Sequence, residues 1–202
     1  AQDIRGRWDS DGVYYPFHPD AEDGFDTQEW VGAQEWSNGK IGMSGSSYLG
    51  IVQWQSAPLR SKFLACLAPR VICGDYYSQL VHPGGAFMLN VMATWGMRTN
   101  ARTGQNIDHH DWSEIFRTLP IREVDEAAGR NVPFWKDWVD HGSYDDYWSE
   151  VNTEERFGEI EVPAYNFGGW YDLYAKQTFE QFNAMRQQGG SAAARQSKLI
   201  MG

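Results

Sequence analysis

The chain has 202 residues, of which 42% are hydrophobic and 15% aromatic, so it can bury the core of one domain with an inserted subdomain and is unlike a disordered chain. Its formal net charge of −10 argues against nucleic acid and anionic membrane surfaces as partners, because both are bound by basic patches. No apolar run approaches the ~18 residues of a membrane span, so we expect no membrane partner; the compartment is left open, with the cytoplasm favoured.

The first 40 residues predict a loop followed by a helix. Residues 3–25 are rich in Gly, Asp and Pro, which is typical of a loop. Four carboxylates in or beside this stretch lack the order of an EF-hand calcium loop, and we interpret them as solvated: Asp20, Glu22, Asp23 and Asp26. Asp26 has the position of an N-cap, with Glu29 three residues later, and predicts a helix that ends near Trp36.

The stretch from Gly42 to Gly50 has the pattern of a nucleophile elbow with Ser47 at its apex. A short strand is predicted over 40–43 and a helix over 48–56, which together give the strand, tight turn and helix that such an elbow requires. The match to G-x-S-x-G is imperfect, because the second glycine follows the serine by three residues. An ordinary Gly/Ser turn between a strand and a helix is therefore the alternative that this motif alone leaves open.

Two details of the motif refine the interpretation. A side chain at Gly45 or Gly50 would strike the incoming strand or the outgoing helix of so sharp a turn, which explains glycine at both positions. Ser44 also follows a glycine by two residues, but no glycine stands two or three residues after it. Ser47 is therefore the better candidate nucleophile.

The middle of the chain changes from a strand pattern to helical patterns. The apolar run 63–67 is short and stops at Ala68-Pro69, which predicts a buried parallel strand. From about residue 75 to 156, aromatic, Met and acidic residues dominate, and four helices are predicted: 86–97, 112–119, 133–141 and 144–151. Cys66 and Cys73 lie in or beside the first run, where we expect free, buried thiols rather than a disulfide or a zinc site.

The last 45 residues return to alternating strand and helix patterns. Two strands and the helix between them are predicted over 162–167, 198–201 and 174–188. Strands separated by helices imply a mainly parallel sheet, with ligand-binding groups at the carboxyl ends of the strands. Ser47 and Asp172 both follow a predicted strand, so both are predicted at that edge.

Four motifs occur in an informative order: Gln2-Asp3-Ile4-Arg5-Gly6, Gly45-Ser46-Ser47-Tyr48-Leu49-Gly50, Pro83-Gly84-Gly85-Ala86 and Gly168-Gly169-Trp170-Tyr171-Asp172. They resemble, in turn, the segment before the elbow, the G-x-S-Y-x-G elbow, the start of the cap and the G-W-Y-D motif of one group of α/β-hydrolases. This group contains cocaine esterases, X-prolyl dipeptidyl peptidases, glutaryl acylases and α-amino-acid ester hydrolases. The resemblance covers nearly the whole chain.

The resemblance implies an α/β-hydrolase fold, with a mainly parallel sheet and an inserted helical cap. Residues 1–75 would form the first part of the hydrolase core, 76–157 the cap and 158–202 the second part of the core. The chain begins without Met and ends on an apolar run that has the pattern of a strand cut at its end. We therefore expect N- and C-terminal parts of the fold to lie outside these 202 residues.

An acyl hydrolase of this kind needs an acid and a base beside its serine. A serine hydroxyl reacts well only when an imidazole takes its proton, and that imidazole needs a carboxylate to fix its tautomer. The resemblance implies Ser47 as nucleophile and Asp172 as acid, in the order serine, acid, histidine of α/β-hydrolases. The histidine would follow the last strand, just beyond Gly202, and none of the five histidines in the chain lies after Asp172.

The oxyanion hole is only half represented. The backbone N–H of Tyr48 would be one donor, whereas the family's second donor, a tyrosine hydroxyl from an upstream segment, has no counterpart here. Losing one such donor typically costs ~10²–10³ in rate, and losing the base costs more. We therefore predict a serine esterase, acylase or X-Pro dipeptidyl-peptidase-like amidase that works through an acyl-enzyme on Ser47, and we expect this fragment alone to be inactive.

The substrate is predicted to be a small-molecule ester or amide. Leu49 stands where α-amino-acid ester hydrolases place an acidic residue, which disfavours an acyl group with a free amine. By their positions in the motifs, Trp95 and Tyr174 would line the pocket and would suit an apolar or aromatic acyl group. Packing in the core is the alternative interpretation of both aromatic residues.

Two other functional classes stay open. Ten tryptophans and Asp145-Asp146 among aromatic residues suggest a carbohydrate-active enzyme. Such an enzyme needs two carboxylates ~5–9.5 Å apart across a cleft, which adjacent residues on a helix do not provide. The other class is a hydrolase-like domain that only binds. We expect no metal, because the neighbouring side chains of His109-His110-Asp111 point apart, and no cofactor; a homo-oligomer is left open.

Overall fold

A four-stranded parallel sheet forms the centre of the computed structural model, which describes residues 2–202. Its strands lie side by side in chain order: β1 (Ile41–Ser46), β2 (Leu64–Arg70), β3 (Tyr165–Gly168) and β4 (Lys198–Met201). Every neighbouring pair is parallel, so all four carboxyl ends meet at one edge. The predicted parallel sheet is thereby confirmed.

Residues 2–202 also contain eight α-helices: α1 (Asp20–Gly32), α2 (Tyr48–Ser56), α3 (Leu89–Thr99), α4 (Trp112–Ile115), α5 (Val124–Ala127), α6 (Pro133–Asp140), α7 (Asp146–Ser149) and α8 (Ala175–Gln188). Shorter helical turns are Ala57–Leu59, Tyr77–Val81, Pro83–Gly85, Ile121–Glu123, Glu154–Glu159 and Ala194–Gln196. The bounds of α2 and β4 agree with the predicted ranges, and those of α6 and α8 agree within one residue. The predicted helices over 112–119 and 144–151 are wrong in length, because each contains only one turn of helix.

The start of α1 is a correction to the sequence analysis. The helix begins at Asp20, six residues before the predicted N-cap Asp26, and it ends at Gly32 rather than near Trp36. Three of the four carboxylates that we interpreted as a solvated loop, Asp20, Glu22 and Asp23, occupy its first turn, where they are favoured by the positive end of the helix dipole. Asp20 itself is buried, because it is bound to residues outside the helix.

The helices of the hydrolase-like core lie on one face of the sheet. α1 packs on α2, α2 packs on β1 and β2, and α8 packs on β3 and β4. The opposite face exposes side chains of all four strands: Ser44, Cys66, Tyr165 and Ile200. The prediction that both cysteines are buried is therefore wrong for Cys66, whereas Cys73 is fully buried; both are free thiols.

The chain between β2 and β3 contains helices α3 to α7 and no strand of the sheet, and we call residues 71–164 the helical segment. Its centre is a cluster of large buried aromatic side chains: Tyr76, Phe134, Trp135, Trp138 and Trp148. Phe17 of the N-terminal loop packs into this cluster, stacked on Tyr76. The assignment of a separate cap domain over 76–157 stays a prediction.

In the part of the chain that the structure describes, no helix has the length and apolar character to cross a membrane.

Candidate active site

Strand β1 leads directly to Ser47, and α2 begins at the next residue. Ser47 has φ 56° and ψ −127°, a backbone conformation that a residue with a side chain rarely adopts and that costs energy. The turn is fixed on both sides: the Ser47 N–H donates to the carbonyl of Arg70 at 3.0 Å, and the Ser47 carbonyl accepts from the N–H of Gly50 at 2.7 Å. A strained, exposed serine between a strand and a helix has the backbone geometry of a nucleophile elbow.

The glycines of this turn are required by close packing. A Cβ atom on Gly45 would lie 2.3 Å from Cβ of Leu49 in α2, as the sequence predicts for the outgoing helix. A Cβ atom on Gly50 would lie 2.8 Å from Cγ2 of Ile72, which belongs to the segment after β2 rather than to the elbow's own strand. Both distances are shorter than the contacts of real Cβ atoms. A side chain at either glycine would therefore force its neighbour, Leu49 or Ile72, to move.

The two candidate serines differ in their environment. Ser44 lies within β1, and its hydroxyl accepts a hydrogen bond from Nη2 of Arg70 at 3.0 Å. The Ser47 hydroxyl has no hydrogen-bond partner among residues 2–202 and is exposed beyond the strand end. Of these two serines, Ser47 is therefore the one that presents a free hydroxyl at the carboxyl edge of the sheet.

Tyr48 contributes differently through its backbone and its side chain. Its N–H is the first of α2 and has no acceptor among the described residues, so it is free at the positive end of the helix. Its hydroxyl donates to Oδ2 of Asp20 at 2.6 Å and accepts from the N–H of Phe17 at 3.0 Å. Its ring lies nearly parallel to those of Phe17 and Trp95, with centroids 6.0 Å away in both cases.

Asp172 lies in the turn between β3 and α8, at the same edge of the sheet as Ser47. Its Oδ1 accepts the N–H of Tyr174 at 2.7 Å, which fixes the turn and leaves Oδ2 without a hydrogen bond inside residues 2–202. Strand β2 separates the two sites, and adjacent strands lie ~4.8 Å apart, so the strands carrying Ser47 and Asp172 are about 10 Å apart. The N–H of Trp170 in this turn donates to the carbonyl of Gly202 at 3.0 Å.

None of the five histidines is hydrogen-bonded to Ser47 or Asp172 within residues 2–202. Nδ1 of His18 lies 3.7 Å from a Glu150 carboxylate oxygen, and Nε2 of His82 lies 3.1 Å from the carbonyl of Trp138. The three others belong to the helical segment and contact its residues: His109, His110 and His141. The described chain thus contains the proposed nucleophile and acid without a base between them.

The two aromatic residues predicted to line the pocket differ in exposure. Trp95 of α3 is half-buried and stacks on Phe17, Tyr48 and Trp138, so its ring connects the helical segment to the elbow. Tyr174 is buried two residues after Asp172, and burial raises the pKa of its phenol strongly. Both belong to the packed interior near the site, and their contact with a substrate stays a prediction.

A cavity of about 610 Å³ lies near the elbow but does not surround Ser47. It lies between the N-terminal loop, α1, β1 and α2, and Leu49 is the residue of the Gly45–Gly50 turn that lines it. Within residues 2–202 no group of three or more His, Cys, Asp or Glu side chains is arranged to hold a metal.

Of the acidic pair considered for a carbohydrate-active site, Asp145 is bound to Nδ1 of His141 at 2.6 Å, and this hydrogen bond lowers the pKa of Asp145.

Asp20 and Phe17 are the residues near the site that the sequence analysis missed. The composition around Asp20 predicts a loop, and no local pattern connects Asp20 with Tyr48, 28 residues later. The only sequence signal is the Pro19-Asp20 pair, since proline is favoured at helix starts and aspartate in the first turn. That signal would have given the start of α1, but not the contact with the elbow.

Comparisons with known proteins identify the family of this chain. The sequence model of the family described as X-Pro dipeptidyl-peptidase (S15 family) matches residues 1–202. Cocaine esterase from Rhodococcus sp. (strain MB1 Bresler) is 31% identical over 203 residues, which cover 92% of this chain and 35% of the esterase.

Two solved structures share the fold. An aminopeptidase from the marine sediment archaeon Thaumarchaeota archaeon superposes with a TM-score of 0.78 at 17% identity, over 99% of this chain and 36% of the aminopeptidase. A CocE/NonD family hydrolase from Staphylococcus aureus superposes with a TM-score of 0.64 at 24% identity, over 98% of this chain and 30% of that hydrolase. The chain thus spans about a third of the length of the proteins that it matches.

Proposed function

Because the chain belongs to the S15 family of X-Pro dipeptidyl-peptidases, we propose that it carries the nucleophile, Ser47, and the orienting acid, Asp172, of a serine acyl hydrolase. The observation that supports this best is the Ser47 turn, where a strained serine with a free hydroxyl follows a parallel strand. Ser47 and Asp172 lie at the carboxyl edge of the sheet, where α/β folds bind their ligands.

In the proposed reaction, an imidazole takes the Ser47 proton while Oγ attacks the acyl carbon of an ester or amide. The carbonyl electron pair moves to the oxygen, and this oxyanion accepts a hydrogen bond from the Tyr48 N–H. When the tetrahedral intermediate collapses, the bond to the leaving group breaks, and the imidazolium gives its proton to that group. Water then attacks the acyl-Ser47 ester by the same route, releasing the acid and restoring the hydroxyl.

We propose that the histidine base lies shortly after Gly202, outside these residues. The carbonyl of Gly202 is bound to Trp170 in the acid turn, so the main chain there lies beside Asp172. The spacing of about 10 Å between β1 and β3 leaves room for one imidazole between the serine and the acid. Without that imidazole, we expect the 202 residues alone to be inactive.

We propose a small-molecule ester or amide as the substrate. The family is described by its dipeptidyl-peptidases and one similar protein is an esterase, so both bond types belong to the proposal. Leu49 beside the serine is an exposed apolar side chain, and Trp95 and Tyr174 are aromatic residues close to the elbow and the acid turn. An apolar or aromatic acyl group would suit these surroundings.

The proposed nucleophile is tested by intact mass spectrometry after treatment with a fluorophosphonate, which reacts with activated serines. The reagent is applied to this chain and to the full-length protein, each with a Ser47→Ala variant. We expect one adduct on the full-length protein, none on its Ser47→Ala variant, and none on this chain. Ser44→Ala of the full-length protein is the matched control and keeps the adduct, because Ser44 lies within β1.

The other outcomes identify which part of the proposal fails. An adduct on the 202-residue chain itself would mean that one of its five histidines is the base. If the full-length protein forms no adduct, or forms one that survives Ser47→Ala, the assignment of Ser47 is wrong, and a domain that only binds becomes the better explanation.

A further inference from the structure

We propose that Asp20 is a positioning residue for the oxyanion hole: its carboxylate holds the Tyr48 hydroxyl and thereby fixes the backbone N–H that follows Ser47. This inference rests on the proposed function, because it assigns a role to Asp20 in the same site. Asp20 does not touch the proposed reacting atoms, so its effect passes through Tyr48.

The contacts form a closed network of three groups. Oδ2 of Asp20 accepts the Tyr48 hydroxyl at 2.6 Å and the Phe17 N–H at 3.2 Å, and the Tyr48 hydroxyl also accepts the Phe17 N–H at 3.0 Å. Three parts of the chain are thus joined: the N-terminal loop, the first turn of α1 and the first turn of α2. The side chain of Tyr48 cannot rotate without breaking two of these bonds.

Both ends of the network have unusual backbone conformations. Phe17 has φ 76° and Ser47 has φ 56°, and neither is a glycine. Such residues cost roughly 1–3 kcal/mol each and persist only where their surroundings hold them. The Phe17 N–H donates to Asp20 and to the Tyr48 hydroxyl, and the Phe17 and Tyr48 rings are stacked. These contacts supply such surroundings.

The environment of Asp20 is costly for a carboxylate. Asp20 is 5% exposed and forms no ion pair with a cationic side chain in the described part of the chain. The ionisable groups that influence it are Asp23 of its own helix and three tyrosines: Tyr14, Tyr48 and Tyr76. Burial raises the pKa of Asp20 to about 6, although the hydrogen bonds from Tyr48 and Phe17 lower it. A buried, unpaired charge lowers stability, so an apolar residue would serve a purely structural role better.

A small displacement of Tyr48 is enough to change the rate. The hydroxyl and the N–H belong to the same residue, at the point where the chain leaves its strained turn and enters α2. A donor of an oxyanion hole must lie within hydrogen-bond distance of the developing charge, and a misplacement of about 1 Å can cost up to 10²-fold in rate. Loss of the Asp20 contact is therefore expected to lower kcat more than it raises KM.

The test uses the full-length protein and p-nitrophenyl butyrate as the probe ester. Asp20→Asn, Tyr48→Phe and the double variant are compared by kcat, KM and Tm. We expect each single variant to lower kcat about tenfold with KM changed less than about twofold, and the double variant to be no slower than the singles, because both changes break the same bond. The difference in kcat between Asp20→Asn and the unchanged protein is expected to shrink below about pH 6. Asp20 is protonated there, and a neutral carboxyl group resembles the amide of the variant.

Tyr15→Phe is the matched control, because Tyr15 also donates to a carboxylate, Asp137, at 2.6 Å, but has no bond to the elbow. It is expected to lower Tm and leave kcat unchanged. The inference is overturned if kcat is unchanged in Asp20→Asn and Tyr48→Phe, if their effects multiply in the double variant, or if Tyr15→Phe lowers kcat equally. Fluorophosphonate labelling of the unchanged protein separates these results from a failure of the proposed function itself, in which Ser47 would not be labelled.

Discussion

The elbow and the acid turn end two strands of the same sheet, yet they are held in place by different means. Around Ser47, close packing at two glycines, a strained backbone and the buried hydrogen bonds of Tyr48 leave little freedom. The turn that carries Asp172 is held mainly by its own hydrogen bonds, and three of its side chains are exposed: Trp170, Tyr171 and Leu173.

This difference separates two requirements of the proposed chemistry. A nucleophile and an oxyanion donor have to be placed precisely, because the charge in the transition state develops at a fixed point. A carboxylate that orients a base needs the right distance and a free oxygen, and Asp172 has one oxygen, Oδ2, without a hydrogen bond in residues 2–202. Changes at the acid turn should therefore alter the rate while leaving stability intact, whereas changes at the elbow should alter stability as well.

The largest expected effect is that of Asp172→Asn in the full-length protein. The amide oxygen can still accept the Tyr174 N–H, so the turn should fold, but the neutral amide no longer favours the correct tautomer of the base. We expect kcat for p-nitrophenyl butyrate to fall by about 10⁴, as is known for the triad of serine proteases, with Tm changed little.

Asp145→Asn is the matched control for this variant, because Asp145 is an exposed carboxylate bound to a histidine, His141, within the helical segment. It should leave kcat unchanged. Activity that survives Asp172→Asn and is lost in Asp145→Asn would reverse the comparison and point to the carbohydrate-active alternative.

The next effect concerns the packing of the elbow. Gly45→Ala places a Cβ atom 2.3 Å from Cβ of Leu49, which is part of the helix and cannot rotate away. Forcing extra atoms into a packed region typically costs 1–3 kcal/mol, so we expect urea unfolding to show a loss of about that size, with less Ser47 labelled. Gly104→Ala, whose Cβ would meet no atom within 4 Å, is the control and should unfold at the unchanged urea concentration. Equal midpoints for both variants would show that the elbow is not tightly packed.

The difference between local signals and tertiary contacts explains what the sequence could predict. Helix α2 and strand β4 match their predicted bounds because apolar runs, glycines and the strand–turn–helix pattern are local signals. The start of α1 was missed because its acidic first turn has the composition of a solvated loop until tertiary contacts with Tyr48 bury Asp20. Contacts between residues far apart in the chain, such as this one, have no signature in a single sequence.

Within the candidate site, the order of the motifs predicted that Ser47 and Asp172 share one edge of the sheet, because parallel strands place all their carboxyl ends together. The same reasoning could not distinguish a pocket from a core, since both use aromatic residues. Trp95 illustrates this: it was predicted from its position in the motif, and the structure places it in an aromatic stack with Tyr48.

The smallest expected effect concerns the pH dependence of the free energy of unfolding. Two neighbouring residues, His18 and Asp20, are expected to contribute to it with opposite signs. His18 is mostly buried, and its Nε2 atom has no hydrogen-bond partner within residues 2–202. Burial lowers the pKa of His18 from 6.5, although the Glu150 carboxylate acts against this. The folded protein therefore binds this proton less readily than the unfolded chain, so stability is complete above about pH 6.5 and falls as the pH decreases below it.

The measurement is the free energy of unfolding in urea at pH 7.5 and at pH 5.5. His18→Gln should lose less stability on acidification than the unchanged protein, because glutamine does not titrate. Asp20 contributes with the opposite sign: its pKa is raised from 3.8 to about 6, so its contribution is complete below pH 3.8 and is lost as the pH rises through about 6. Asp20→Asn should accordingly lose more stability on acidification than the unchanged protein. The two assignments are a lowered pKa for His18 and a raised pKa for Asp20. At least one of them is wrong if both variants shift the pH dependence of stability in the same direction.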